Sequence, residues 1–211
     1  MAETKDALFT TWLGLWLAQR DLEATRLAEY RALATAIAPL VDSVPGPWAQ
    51  LPGLIHRMLG PRGYAWNGIY ARDGEDLRLV AAEGPPVCAS LHRVDEGGEG
   101  SDQRHLPGRS GMCFDAMIMN QTLVASDVKA WPGYVSCDGE SGLATVAGMV
   151  CPIRNDQGTP IAVWDLDAVA PLAPEDGPWF DALFATLSAL LQPASLLSVS
   201  PWSPSASTES R

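Results

Sequence analysis

The chain's succession of patterns predicts an α+β protein: an antiparallel sheet packed by helices, with an extended N-terminal helical region. Two observations carry this. Apolar residues recur at helical spacing over residues 6–42 and again after residue 174. In between, short apolar runs alternate with clusters of Gly, Pro and Asp, which is how strands joined by turns and long loops read.

Leu22, Leu27, Tyr30, Leu33, Ala34, Ile37 and Leu40 give the first stretch its helical period. Asp6 and Asp21 are candidate caps, the second opening a new helix. Pro45-Gly46-Pro47 ends the run, and a shorter helix is expected over 48–59. Residues 64–71 and 77–82 read as strands around the polar turn Arg72-Asp73-Gly74-Glu75-Asp76. Residues 92–111 are polar and Gly-rich, a long loop. Residues 112–120 read as a short helix and 121–125 as a strand. A second loop, 126–142, carries Trp131, Pro132, Gly133 and Cys137. Residues 149–154 and 160–166 form a hairpin around Asn155-Asp156-Gln157-Gly158. The last helix is expected over 174–191, with Glu175 and Asp176 in its first turn, where acids suit the helix dipole. Three regions follow: an N-terminal helical region 1–45, a sheet-bearing domain 46–192 and a Ser-rich, disordered tail 193–211.

The 211 residues are 47% hydrophobic with eight Trp, ample for one real core. A net charge of −11 repels phosphate backbones and anionic bilayers, so neither nucleic acid nor membrane is expected as a partner. The charged start has no leader-like apolar core, and the apolar stretch 7–18 is too short to span a bilayer. A cytoplasmic location is therefore expected. In such a compartment four cysteines point to reactivity or packing rather than to a permanent disulfide framework. No CxxC occurs and the three His do not alternate with Cys at zinc-ligand spacing, so no metal or cofactor is expected.

The cysteines divide by context. Cys88, Cys113 and Cys137 lie in separate loop-like settings among Gly, Pro and Asp, while Cys151 sits between Val150 and Pro152 in an apolar run and reads as packing. Three loop thiols that met in space could run a dithiol redox cycle. Asp165 and Asp167 alternate along one strand and so share a face. Two carboxylates facing the interior are costly unless they serve a ligand. Paired like charges also push one pKa upward, which suits proton donation. Trp66 and Tyr70 likewise share a face, as an aromatic wall or as core. Trp131 is a candidate lid, His92 and His105 read as solvated, and His56 as a helix-edge residue. Met112, Met117 and Met119 read as core filler.

Trp66-Asn67-Gly68-Ile69-Tyr70, Gly84-Pro85-Pro86-Val87-Cys88, Gly108-Arg109-Ser110-Gly111-Met112-Cys113, Asp127-Val128-Lys129-Ala130-Trp131-Pro132-Gly133-Tyr134-Val135-Ser136-Cys137-Asp138, and Val163-Trp164-Asp165-Leu166-Asp167 occur in that order. Together they resemble the GAF-domain free methionine-(R)-sulfoxide reductases over roughly residues 22–191. The resemblance implies a GAF-like antiparallel sheet and a thiol-dependent reductase. It makes Cys137 the nucleophile, with its sulfenic acid resolved by Cys88 or Cys113; the local sequence adds Lys129, eight residues earlier, as a candidate thiolate stabiliser. Trp66, Tyr70, Glu140, Asp165 and Asp167 would bind the methionine sulfoxide. An external dithiol such as thioredoxin would reset the enzyme. A homodimer through the helices carrying Trp12, Trp16 and Leu17 is a further expectation. The chain departs from the family at Gly148, which falls where a glutamate holds the substrate's amino group; Glu140 is the candidate substitute. The alternative is a non-catalytic GAF-type module that senses a small ligand or a redox signal.

Overall fold

In the computed structural model the described residues are 4–43, 46–93, 108, 110–134 and 142–191. Cys137, Glu140 and His105, the tail assigned to 193–211, and most of the loop assigned to 92–111 lie outside them.

Six antiparallel strands form one sheet in the order β3-β2-β1-β6-β5-β4. They are β1 (Tyr64–Asp73), β2 (Asp76–Glu83), β3 (Ser90–Leu91), β4 (Leu123–Ala125), β5 (Ala147–Arg154) and β6 (Pro160–Ala168). The β1–β2 hairpin closes over two residues, with Gly74 at φ 66 supplying the left-handed turn backbone. β1 lies centrally and pairs with β2 on one side and β6 on the other.

Four helices cover one face: α1 (Lys5–Ala18), α2 (Ala24–Ile37), α3 (Leu51–Leu59) and α5 (Asp176–Leu191). Every second residue of the central strands points into this layer, among them Ile69, Cys151, Trp164 and Leu166. Trp164 is fully buried, stacks on Phe180 at 4.6 Å and Phe184 at 4.9 Å, and donates its indole N–H to Asn67 Oδ1 at 3.0 Å. Asn67 in turn donates to the Pro52 carbonyl at 3.1 Å, so the one buried amide here fixes α3 to the sheet.

The helical stretch 6–42 breaks at residues 19–23 into α1 and α2. Asp21 caps neither: Glu23 holds the N-cap position of α2 without a side-chain bond, and Thr4 that of α1. Asp6 sits inside the first turn and accepts the Ala7 N–H at 2.9 Å. α3 starts later than residue 48, because Trp48 turns into the core. The two-residue strand β3 is too short to show a period and escapes sequence reading. Leu17 and part of Trp16 pack inward. Trp16 packs edge-on against Trp179 at 5.6 Å and Leu17 is 4% exposed, since both complete the chain's own core. Trp12 and Leu15 are the exposed apolar residues of α1.

Asp176 ties α2 to α5. Its carboxylate, fully buried, accepts from Tyr30 Oη at 2.8 Å, from Arg62 Nη2 at 2.6 and 2.8 Å, and from the Ala173 N–H at 2.8 Å. Burial beside Asp176 pushes the Tyr30 and Tyr64 hydroxyls well above their ordinary range. Among the described residues no helix is long and apolar enough to cross a membrane.

The other face carries one short helix, α4 (Met112–Met119), and the loops around it. Trp66, Tyr70, Leu79, Val150 and Val163 meet Cys113, Phe114, Ala116 and Met117 there in a smaller core. Of the three methionines read as core filler, Met117 is buried, Met119 is 40% exposed, and Met112 borders a cavity. The helical period places Met119 on the outer side of α4.

Candidate active site

The smaller core does not cover its whole face. Beside it lies a cavity of about 310 Å³. Its floor is the sheet: Asp165 and Asp167 of β6 and Gly148 of β5. The register sets Gly148 opposite Asp167 and Val150 opposite Asp165. One wall is the start of α4, with Ser110, Gly111, Met112, Cys113 and Phe114. A second is the segment Cys88, Ser90, Leu91 and His92, and a third comprises Val128, Tyr134 and Thr145.

Cys113 is 8% exposed, and its thiol donates to Asp165 Oδ2 at 3.2 Å. Protein surrounds the Asp165 carboxyl on every side except its cavity edge. That burial pushes its pKa up to about 6, against the smaller opposing pull of the Cys113 thiol and the Leu166 N–H. Desolvation is the largest cause of the shift. A carboxyl near 6 holds a proton in part of the molecules at neutral pH and can pass it on.

Cys88 is exposed at the cavity rim. Its backbone is fixed from below, because Tyr70 Oη donates to the Cys88 carbonyl at 2.9 Å. Cys151 lies on the opposite face of the sheet, fully buried among apolar side chains that push its thiol far above the ordinary range. It has no route to the cavity.

Trp66 and Tyr70 do share a face, but neither borders the cavity. Both are nearly fully buried, 6.1 Å apart, and act as its underlay. The indole of Trp66 lies along its own strand over Gly68, where a Cβ would stand 2.6 Å from the ring. Trp131 is not a free lid: its ring packs against the smaller core and its indole N–H donates to Asp115 Oδ2 at 2.7 Å. Lys129 is exposed on a single turn and does not reach the cavity. His92 is solvated as expected, yet it borders the cavity and its Nδ1 lies 2.9 Å from Asp76 Oδ2.

Gly148 is tightly seated. A Cβ there would stand 3.0 Å from Val128 Cγ1 and 3.3 Å from the Leu166 carbonyl. Neither wall offers room for a longer side chain at this position without movement. Sequence reading missed Tyr134, Thr145, Ser110 and Asp115. Tyr134 lay within the quoted Asp127–Asp138 loop, and that was its only signal. Among the described residues no group of three or more His, Cys, Asp or Glu could hold a metal ion.

The sheet order, the helical layer on one face and the ligand-sized cavity on the other define a GAF fold. No family model matches the chain. A protein described as a GAF sensor from Burkholderia vietnamiensis superposes with a TM-score of 0.60 at 27% identity, over 76% of this chain and 92% of its own. Free methionine-R-sulfoxide reductase from Neisseria meningitidis, solved in complex with its substrate, superposes with a TM-score of 0.58 at 23% identity, over 94% of this chain and 96% of its own. By sequence, the chain is 34% identical over 59 residues to the free methionine-R-sulfoxide reductase of Saccharomyces cerevisiae. That match spans 28% of this chain and 31% of the yeast protein.

Proposed function

We propose that this protein reduces free methionine (R)-sulfoxide by a thiol mechanism. The observation that carries the reading is the cavity itself: two thiols, Cys88 and Cys113, border one space together with two acids, and one thiol is bonded to one of the acids. The likeness to sulfoxide reductases in fold and in a stretch of sequence supports it.

In this reading the Cys137 thiolate attacks the sulfoxide sulfur. Asp165, in its protonated form, gives its proton to the sulfoxide oxygen as the S–O bond breaks. The oxygen passes to Cys137 as a sulfenic acid and methionine leaves as the thioether. Cys113 or Cys88 then attacks the sulfenic sulfur, water departs, and a disulfide remains. An external dithiol such as thioredoxin reduces it. Asp167 attracts the substrate's ammonium group, with Glu140 as a further carboxylate, while Asp165 meets the sulfoxide end and Trp66 and Tyr70 support the floor. Tyr134 and Thr145, the described cavity residues on either side of 135–141, bring the chain to the cavity on both sides of the Cys137 segment.

The test is turnover. The protein with the (R)-sulfoxide and a dithiol should release methionine, and Cys137→Ser should abolish release. A fully active Cys137→Ser protein would sink the assignment. The close seat of Gly148 under Val128, where the resembling family has a carboxylate, favours a second reading: a module that binds a small ligand without turning it over. It predicts ligand-dependent stabilisation with no methionine formed.

A further inference from the structure

Asp115 does not line the cavity described above, yet it touches both arms of its rim. It lies in the first turn of α4 and is 1% exposed. Its Oδ1 accepts the backbone N–H of Gly108 at 2.8 Å, and its Oδ2 accepts the indole N–H of Trp131 at 2.7 Å. The donors come from separate stretches of chain. One arm runs through Ser110 and Gly111 into Cys113; the other runs from Trp131 to Tyr134. Ser110, Gly111 and Tyr134 all border the cavity. The arms also touch directly, since a Cβ on Gly108 would stand 3.1 Å from Pro132 Cβ.

A buried carboxylate is costly unless its oxygens are matched by donors. Here each oxygen takes one N–H, and bonds to a carboxylate are about twice as strong as neutral ones. Packing alone gives no reason for an acid at this point of an otherwise apolar helix. We propose that Asp115 is a positioning residue that fastens both arms to α4 as one wall, keeping Cys113 screened and the substrate cavity in shape. The consequence for substrate rests on the sulfoxide-reductase reading; the fastening does not.

Asp115→Asn keeps the shape but leaves one oxygen for two donors, and Trp131→Phe removes one donor while keeping a ring. The measurement is the alkylation rate of each cysteine by iodoacetamide, resolved by peptide mass spectrometry on the full chain. Cys151, in the other core, reports global opening. Each variant should speed Cys113 by about tenfold and leave Cys151 within about twofold, and the double variant should be no faster than Asp115→Asn. KM for the sulfoxide should rise about tenfold with kcat within about threefold. If Asp115→Asn does not fold, Trp131→Phe carries both readouts. An unchanged Cys113, or Cys113 and Cys151 accelerating together, would overturn the clasp. A loosened Cys113 with unchanged KM would reduce Asp115 to a structural tie and overturn the positioning role. Wild-type protein that reduces no sulfoxide would defeat the functional reading instead, and the alkylation ratio would still decide the clasp.

Discussion

Cys151 and Cys113 lie on opposite faces of one sheet, and the contrast between them describes the molecule. Cys151 is sealed under four helices among aromatic and aliphatic side chains, with its thiol pushed far up by burial. Cys113 is almost as buried but meets a carboxylate and a cavity. Nearly equal burial, on a strand in one case and a helix in the other, gives a thiol sealed among side chains on one side and a thiol against a carboxylate and a cavity on the other. What differs is the cover. Helices close one face completely; one short helix and loops leave the other partly open.

If the faces are independent, damage to the helical face should cost stability and spare the cavity. Trp164→Ala removes a stacked, hydrogen-bonded ring and should cost about 4 kcal/mol in urea unfolding, while folded protein keeps the wild-type Cys113 alkylation rate. A changed Cys113 rate would show that the faces are coupled. Asp176→Ala takes the shared carboxylate from Arg62 and Tyr30, leaving Arg62 only its 3.5 Å pair with Glu29, and should cost about 3 kcal/mol, again without touching the cavity. On the open face the balance reverses. Gly68→Ala drives a methyl group into the Trp66 ring and should cost only about 1–2 kcal/mol while raising KM for the sulfoxide severalfold.

The smallest stability effect should have the opposite sign. Asp165 holds its proton up to about pH 6 in the folded chain, above the ordinary carboxylate value. Its contribution to stability is therefore complete below about pH 4 and is lost as pH rises through about 6. Asp165→Asn should then stabilise the protein at pH 7 by about 1 kcal/mol, allowing for the solvent at its cavity edge, and make no difference at pH 4. Thermal unfolding at the two pH values checks this. The same variant should lose at least about tenfold in sulfoxide reduction, because an amide has no proton to give.

Alternation and local context made much of this readable from the sequence. Asp165 and Asp167 share a face by parity and do border the cavity. The apolar neighbours of Cys151 told it from Cys113. Parity also put Trp66 and Tyr70 on the right face, but parity carries no depth, and both are buried in the smaller core. Asp115 gave no signal at all, since its partners Gly108 and Trp131 are joined to it only by tertiary structure. The upward shift of Asp165 was anticipated from charge pairing, which can be counted along a strand; its largest cause is burial, a property of the packed sheet that the sequence does not display.

The central claim is that the thiols of the open face act together on one substrate. Reduced protein mixed with methionine (R)-sulfoxide, with no external reductant, tests it by thiol titration. The account predicts two thiols lost for each methionine formed, with Cys151 still free. No loss of thiols and no methionine would contradict it.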